Sequence, residues 1–335
     1  MILVTGGTGL VGAHLLAKLV VDNDLVRAIK RASSNLDAIK NVFSYYHKDV
    51  DSFFNKIEWI DADVVDVPSL VPVFVDVTYV YHCAAVISFN PKAYRKMRKV
   101  NIEGTANIVN LSLEQGVKKF CFVSSIAAVG RSMTGKPIKE ESEWQIENSN
   151  YGYAITKYGA ELEVWRGTQE GLDAVIVNPG IILGAGFWDS GSGSLFEKAS
   201  KGIPFYTEGV TGYVGVEDVI QCMLQLMDSN VVNERFILVA ENRSYKQIFF
   251  ELADALNAKT PTFKLKKWQT EIFWRFSLIV AAISRTKPIL TKHSAASIHK
   301  RNNFDSSKIR RTLNYKFEDI EDTIKRVSKF YLEEC

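Results

Sequence analysis

The sequence predicts an α/β fold with a doubly wound parallel sheet, and three observations carry that prediction. Short apolar runs alternate with helical patterns over the first 180 residues. Most of these runs are β-branched or aromatic, which is typical of strands buried on both faces. A glycine-rich segment joins the first strand to the first helix. Repeated strand–helix units of this kind favour right-handed crossovers with helices on both faces of the sheet.

The predicted elements follow one another with short connections. Before residue 180 the sequence predicts strands at Ile2–Thr5, Leu25–Ile29, Ile57–Ile60, Tyr79–His82, Phe120–Ser124 and Ala174–Asn178. It predicts helices at Leu10–Val21, Ser34–Phe43, Pro68–Phe74, Val100–Gln115 and Tyr153–Gln169. Later in the chain we expect one further sheet strand at Phe236–Val239 and a helix at Tyr245–Leu256.

Composition argues against several classes of protein. The formal net charge of +3 is small, and we expect the charged residues to be evenly distributed, so nucleic acid is not an expected partner. The four cysteines and five histidines are scattered, which predicts reduced thiols, a cytoplasmic protein and no metal site. The first strand begins at Ile2, so we expect no secretory leader. The longest apolar stretch, Ile272 to Ile283, falls short of the roughly 20 residues that a spanning helix needs.

The segment Thr5–Gly12 has the glycine spacing of a dinucleotide-binding loop. It lies between a predicted strand and a predicted helix, where a plain glycine turn is a poor alternative. Glycine permits a tight turn, close approach of the backbone to a pyrophosphate, and packing of the helix on the strand. We expect the cofactor to contact Gly6, Thr8, Gly9, Leu10, Val11 and Gly12.

The loop and the alternating elements together predict a Rossmann-type parallel sheet with a smaller, interleaved C-terminal substrate lobe. The dinucleotide-binding domain is predicted to comprise residues 1–180 and about 212–242. The substrate-binding lobe is predicted to comprise about 181–211 and 243–335, because this part of the chain loses the strand–helix rhythm and becomes more basic and aromatic.

The end of the second predicted strand favours NADP over NAD. NAD-binding proteins usually place a carboxylate there to bind the ribose diol. This strand ends instead in Lys30 and Arg31, and an arginine fork suits a 2′-phosphate because it binds two oxygens at once. A solvated basic strand end is the alternative interpretation, in which case NAD remains the other candidate cofactor.

Tyr153 and Lys157 are predicted to form a catalytic pair. Positions four residues apart share one face of a helix, and a nearby ammonium lowers the pKa of a phenol. The pair then suits proton transfer to a carbonyl oxygen that receives a hydride. Ser125, at the carboxyl end of a predicted strand, is placed to orient that oxygen, or else only caps the strand. Asn101 comes just before the helical run Ile102–Gln115, where it would act as an N-cap if it has no catalytic part.

These motifs resemble the extended branch of the short-chain dehydrogenase/reductase superfamily over nearly the whole chain. The resemblance implies that Tyr153 is the acid/base and that Lys157 also binds the nicotinamide ribose. It implies further contacts along the chain: adenine at Asp63 and Val64, the cofactor at Ala84 and Ala85, a relay water at Asn101, the nicotinamide pocket at Pro179 and Gly180, and a return segment at Tyr213–Val219.

Within that branch the sequence looks most like dihydroflavonol 4-reductase-like and 3β-hydroxysteroid dehydrogenase-like proteins. Sugar-nucleotide epimerases often carry a hydroxyl where this chain has Ile126, and they commonly have an acidic NAD residue that is missing here. The expected activity is therefore NADP-dependent interconversion of a ketone and a secondary alcohol. The alternatives are an epimerase, dehydratase or isomerase that retains its cofactor, and a non-catalytic NADP-binding regulator.

An apolar carbonyl compound is the expected substrate. Aromatic and apolar residues are frequent in the segments expected to contact it, which are Val86–Tyr94, Gly184–Leu195, Phe205–Gly212 and the tail. Ordinary core packing of these aromatics is the alternative. Ile272 to Ile283 is interpreted as a lid or a packed helix, with contact at a membrane surface as the weaker option. A homodimer through Val100–Gln115 and Tyr153–Gln169 is expected only by analogy.

Overall fold

The computed structural model describes residues 1–130, 135–145, 152–284 and 290–335. Its strands are β1 (Ile2–Thr5), β2 (Val26–Lys30), β3 (Ile57–Asp61), β4 (Tyr79–His82), β5 (Lys119–Val123), β6 (Ala174–Pro179), β7 (Ile181–Leu183), β8 (Phe205–Tyr206), β9 (Val210–Gly215), β10 (Glu234–Leu238), β11 (Glu241–Ser244) and β12 (Phe263–Lys264). Its α-helices are α1 (Leu10–Asp22), α2 (Asp37–Ser44), α3 (Val50–Phe54), α4 (Val67–Leu70), α5 (Tyr94–Met97), α6 (Gly104–Glu114), α7 (Gly152–Gln169), α8 (Ser194–Ser200), α9 (Val216–Asp228), α10 (Tyr245–Ala255), α11 (Lys267–Ser284), α12 (Lys292–Ser297), α13 (Ser307–Leu313) and α14 (Ile320–Glu334).

The central sheet confirms the predicted α/β architecture. Seven parallel strands lie in the order β10-β6-β5-β4-β1-β2-β3. Strands β2 and β3 are added on one side of β1 and the later strands on the other, so the strand order reverses between β1 and β4. Alternate residues of each strand enter different cores. Cys121 and Val123 pack toward α1 and α9, whereas Phe120 and Phe122 pack toward α6 and α7. Apolar burial on both faces explains why these strands have continuous apolar sequences.

Two short sheets lie outside the central one. Strands β7, β9 and β11 form a three-stranded sheet, and β8 pairs with β12. A separate apolar cluster joins this region to α8, α10 and α14, through residues such as Phe196, Leu252 and Ile324. Most of these elements fall within the residues predicted to form the substrate lobe. The boundary between that lobe and the sheet domain stays a prediction.

Two local expectations are wrong. The helix predicted from Val100 begins earlier, because a π-helical turn over Arg98–Glu103 precedes α6. Asn101 therefore lies inside helical backbone and is no N-cap. The second strand begins at Val26 and extends to Lys30, which brings Lys30 opposite Asp61 of β3.

Helix α11 packs on the chain through small and polar residues rather than through its large apolar ones. Its inward residues are Thr270, Ser277 and Ala281, which are nearly fully buried. Its largest side chains point outward, among them Trp268 at 61% and Phe276 at 62% exposure. Among the described residues, no helix is long and apolar enough to cross a membrane.

Candidate active site

The glycine loop forms a bare backbone cradle between β1 and α1. Gly6 has a φ of +69°, and a Cβ there would lie 2.6 Å from the backbone nitrogen of Ala84. A Cβ at Gly12 would lie 2.2 Å from the carbonyl oxygen of Gly6. At Gly9, which is exposed, a Cβ would meet only that same oxygen, at 3.6 Å. Gly6 and Gly12 are therefore required by packing, while Gly9 leaves open space for a ligand.

The amino terminus of α1 suits an anion. Gly9 is its N-cap, no side chain caps it, and the first turn contains no acidic residue. The first backbone N–H groups of this 13-residue helix are thus available, and the helix dipole is positive at this end. Thr8, Leu10 and Val11 are partly exposed around it. The cradle and the helix end together fit the pyrophosphate of a dinucleotide.

The two cations at the end of β2 differ in their surroundings. Lys30 Nζ lies 2.5 Å from Oδ1 of Asp61, so its charge is already paired across the strands. Arg31 is exposed, and among the described residues no carboxylate pairs with its guanidinium. Its backbone N–H donates to the Ser34 hydroxyl, at 3.2 Å. Arg31 is therefore the better candidate for a 2′-phosphate, which the sequence did not distinguish from Lys30.

The other expected cofactor residues lie at the carboxyl ends of β3, β4 and β6. Asp63 accepts a hydrogen bond from the Val65 backbone N–H at 3.1 Å, and Val64 is buried against Gly104. Ala84 lies against Gly6, and Ala85 is exposed beside it. Pro179 is buried at the end of β6. A Cβ on Gly180 would lie 2.5 Å from the Gly212 carbonyl oxygen.

Ser125 and Tyr153 form a hydrogen-bonded pair beside buried Lys157. The Ser125 side chain hydrogen-bonds the Tyr153 hydroxyl, and Ser125 follows the last residues of β5. Lys157, one turn along α7, is 2% exposed. Its Nζ donates to the Val123 carbonyl oxygen at 2.7 Å and lies 4.5 Å from the Phe122 ring centroid. The Ser125–Tyr153 pair and the Lys157 ammonium thus all lie near the carboxyl end of β5, and their catalytic role stays a prediction.

Burial shifts the pKa values of both members of the α7 pair. Burial raises the pKa of Tyr153 to about 12, against the opposing effect of the Ser125 hydrogen bond. Burial also lowers the pKa of Lys157 to about 8, against the charge of Glu161. The Ser125 contact, rather than the ammonium, is the group that favours the Tyr153 phenolate in this arrangement. The sequence prediction had assigned that effect to Lys157.

Asn101 joins the loop after β4 to α7. Its Oδ1 accepts from the Val86 backbone N–H at 2.7 Å, and its Nδ2 donates to the Val86 carbonyl oxygen at 3.0 Å. The same Nδ2 donates to the hydroxyl of Thr156, the residue before Lys157, at 3.0 Å. Asn101 therefore links the Val86 backbone to the Thr156 side chain of α7.

Sequence reasoning missed a buried network centred on Glu161. Its carboxylate accepts from the Ser124 hydroxyl at 2.7 Å, from Asn178 Nδ2 at 2.9 Å, and from the Arg235 guanidinium at 2.8 Å. Asn178 also donates to the Ser125 carbonyl oxygen, at 3.0 Å. The ends or interiors of α7, β5, β6 and β10 are thereby linked around Tyr153 and Lys157. The only local signal was spacing, since Glu161 lies four residues after Lys157 on one helix face.

A cavity of about 490 Å³ lies elsewhere, between α1, α9 and the C-terminal tail. It contains mixed charges that largely satisfy one another: Lys18 lies 4.0 Å from Glu217, and Arg326 donates to Glu318 at 2.6 Å. None of the residues predicted for catalysis or for cofactor binding lines this cavity, although Ala185 and Val216 belong to the segments Gly184–Leu195 and Tyr213–Val219. We therefore assign neither cofactor nor substrate to it.

Comparison with known families and sequences identifies relatives of this chain. The sequence model of the NAD dependent epimerase/dehydratase family matches residues 2–239. A Synechocystis protein named as a dihydroflavonol 4-reductase is 28% identical over 85% of this chain and 81% of its own length. A UDP-glucose 4-epimerase of Vibrio cholerae is 26% identical over 89% of each chain.

Solved structures show the same fold. The crystal structure of gox2253 superimposes with a TM-score of 0.81 at 27% identity and covers 99% of this chain and 98% of its own. The UDP-glucose 4-epimerase of Thermotoga maritima, solved with UDP-glucose, gives a TM-score of 0.77 at 21% identity with the same coverage. Both likenesses extend through the small sheets and α14, beyond the part that the family model matches.

Proposed function

Because the chain belongs to the NAD dependent epimerase/dehydratase family, we propose that it is an NADP-dependent reductase of a largely apolar ketone. The observation that carries the proposal is the hydrogen-bonded Ser125–Tyr153 pair beside buried Lys157. A phenol and a hydroxyl that converge at the end of one strand offer two hydrogen bonds to a single carbonyl oxygen. When bound, the nicotinamide cofactor supplies the hydride chemistry.

In the proposed reaction the chain's own residues orient the substrate and move one proton. Ser125 holds the carbonyl oxygen, and Tyr153 donates its hydroxyl proton to that oxygen as the alcohol forms. Lys157 places a positive charge next to the site and would hold the ribose of the bound cofactor. The Glu161 network and Asn101 keep these groups in position, and a fixed geometry of this kind accounts for much of an enzyme's rate.

Arg31 supports the choice of NADP. Its guanidinium is exposed at the end of β2 without a described carboxylate partner, whereas Lys30 is paired with Asp61. Arg31→Ala is expected to raise the KM for NADPH by about tenfold or more and to leave the KM for NADH nearly unchanged. Lys30→Ala is the matched control and should have the smaller effect. Equal effects of Arg31→Ala on both nucleotides, or a preference of the unmodified protein for NADH, would contradict the assignment.

An apolar substrate is supported by the segment after β4. Its side chains include Ile87, which is 59% exposed, and Phe89, which is 47% exposed. Relatives include proteins named cinnamoyl-CoA reductase 1 and 3-beta-hydroxysteroid dehydrogenase. The decisive measurement is oxidation of NADPH, with NADH alongside, over flavonoid, steroid, aliphatic and sugar-nucleotide carbonyls. Turnover confined to the apolar ketones is the expected result.

The second candidate is a sugar-nucleotide epimerase or dehydratase that retains its cofactor. The similarity to UDP-glucose 4-epimerases over nearly the whole chain favours it. Ile126 in place of a third hydroxyl and the basic end of β2 argue against it. Tightly retained nucleotide, with conversion of a sugar nucleotide and no net consumption of NADPH, would establish this candidate instead. If the protein binds the nucleotide but turns over none of these compounds, the hypothesis of a non-catalytic NADP-binding regulator would be favoured.

A further inference from the structure

Helix α11 has its amphipathic pattern reversed. The inward residues Thr270 and Ser277 are buried and make hydrogen bonds: the Thr270 hydroxyl lies 2.9 Å from His299 Nε2, and Ser277 Oγ accepts from the Leu290 N–H at 3.2 Å. The outward residues are large and apolar. We call Trp268, Ile272, Phe276 and Ile279 the α11 outer face, and their exposed fractions range from 58 to 62%. A surface helix in water normally shows the opposite arrangement.

The apolar surface continues onto the neighbouring two-stranded sheet. Phe263 of β12 is 52% exposed and Phe205 of β8 is 36% exposed. The Phe205 ring lies 6.5 Å from that of Phe273 on α11, measured between centroids. Contiguous exposed patches of this kind mark interaction surfaces rather than random surface hydrophobes.

The charge around this surface is strongly one-sided. Residues 257–301 contain ten Lys and Arg residues and one acidic residue, Glu271, which gives this segment a net charge of +9. The whole chain has a net charge of +3, so the remainder has a net charge of −6. The small total charge therefore hides an uneven distribution, contrary to the expectation from composition. Arg285 and Lys287 belong to this count but lie outside the described residues.

Neighbouring carboxylates neutralise only part of that charge. Glu208 pairs with Lys264 at 2.6 Å, and Glu271 pairs with Arg275 at 2.9 Å. Lys266 and Lys267, at the start of α11, have no ion-pair partner among the described residues and are exposed. Basic groups thus border the apolar face along its amino-terminal end.

We propose that the α11 outer face and its basic border bind the surface of an anionic lipid bilayer. A helix with exposed aromatic and aliphatic residues and a lysine border fits the boundary between lipid headgroups and acyl chains. A second copy of the chain fits less well, because a twofold interface brings each patch against itself and its positive charges would repel. The proposal does not depend on the reductase assignment, since it concerns a surface outside the catalytic residues.

The test is flotation of the whole protein with vesicles of phosphatidylcholine, with or without phosphatidylglycerol. The unmodified protein is expected to float with the anionic vesicles and to be released by high salt. Ile272→Glu/Phe276→Glu should reduce the bound fraction about tenfold. Val71→Glu/Val75→Glu is the matched control, because these two side chains are 53% and 54% exposed outside this surface. It should float like the unmodified protein.

A second measurement covers the case in which the charged variant misfolds. Tryptophan fluorescence of the unmodified protein should be quenched by brominated lipid in anionic vesicles, and Trp268→Phe should remove most of that quenching. Failure of the unmodified protein to float, or flotation of Ile272→Glu/Phe276→Glu at the unmodified level, overturns the proposal. A dimer that this variant converts to a monomer, with no flotation of the unmodified protein, overturns it in favour of self-association.

Discussion

Helices α7 and α11 are both 18 residues long, and each departs from the usual amphipathic pattern in its own way. Helix α7 buries charged groups, since Lys157 is 2% exposed and Glu161 is 1% exposed. Helix α11 buries Thr270 and Ser277 and exposes large apolar side chains. Each arrangement costs stability in water, and such local exceptions are expected at functional surfaces. The comparison suggests that α7 is arranged for chemistry and α11 for contact with another surface.

The largest expected effect is on the reacting end of α7. Tyr153→Phe removes the proton donor while it preserves the ring in a buried position, so turnover should fall by about a thousandfold. The affinity for NADPH, measured by fluorescence titration, should be nearly unchanged. Turnover within a few-fold of the unmodified protein would show that α7 buries its polar groups for structural reasons alone.

Glu161 tests whether the buried charges of α7 also support its structure. Glu161→Gln leaves Arg235 without its ion pair, and breaking a buried pair from one side costs about 3 kcal/mol of unfolding free energy. Glu163→Gln is the matched control on the same helix. Its partner Arg166 is partly exposed, so the cost should be below about 1 kcal/mol. Denaturant unfolding of both variants measures the difference, and equal losses would contradict the proposed network.

The pKa of Lys157 gives a pH test of the same helix. In the free protein this pKa is about 8, so the ammonium loses its proton as the pH rises through that value. The kcat/KM for NADPH should then fall about tenfold for each further pH unit, because the neutral amine provides no positive charge. Tyr153, with a pKa of about 12, stays protonated in this range.

Glu161→Gln sharpens that pH test. The negative charge of Glu161 raises the pKa of Lys157, so its removal should move the falling part of the profile to lower pH. A profile that is identical in Glu161→Gln and in the unmodified protein would assign the titration to another group. Glu163→Gln again serves as the control and should leave the profile in place.

The sequence predicted the parts of the site that depend on local spacing. Each of these parts is local in sequence: the glycine loop joins one strand to one helix, and the serine follows one strand. Helix periodicity places Tyr153 and Lys157 on the same face of α7. The Glu161 network joins four elements, so the roles of Asn178 and Arg235 depend on strand order that no local pattern specifies. Pairing of Lys30 with Asp61 likewise follows from the register of β2 against β3.

The sequence also did not predict which face of α11 points toward the rest of the chain. Its central residues are apolar on nearly every side, so periodicity did not distinguish the inward face from the outward one. The hydrogen bonds of Thr270 and Ser277 to residues after the helix settle that choice. These contacts depend on the return of the chain through α12, which spacing within α11 does not encode.

The smallest expected effects are on stability, and they compare the buried face of α7 directly with the exposed face of α11. Val164 of α7 is fully buried, and Val164→Ala should lower the unfolding free energy by about 2 kcal/mol through lost packing. Phe276 of α11 is larger but 62% exposed, so Phe276→Ala should change it by less than about 0.5 kcal/mol. Thermal and denaturant unfolding in the absence of lipid provide both values. A loss for Phe276→Ala as large as that for Val164→Ala would mean that the α11 outer face packs within the folded chain or against a second copy, because a side chain left in water has little stability to lose.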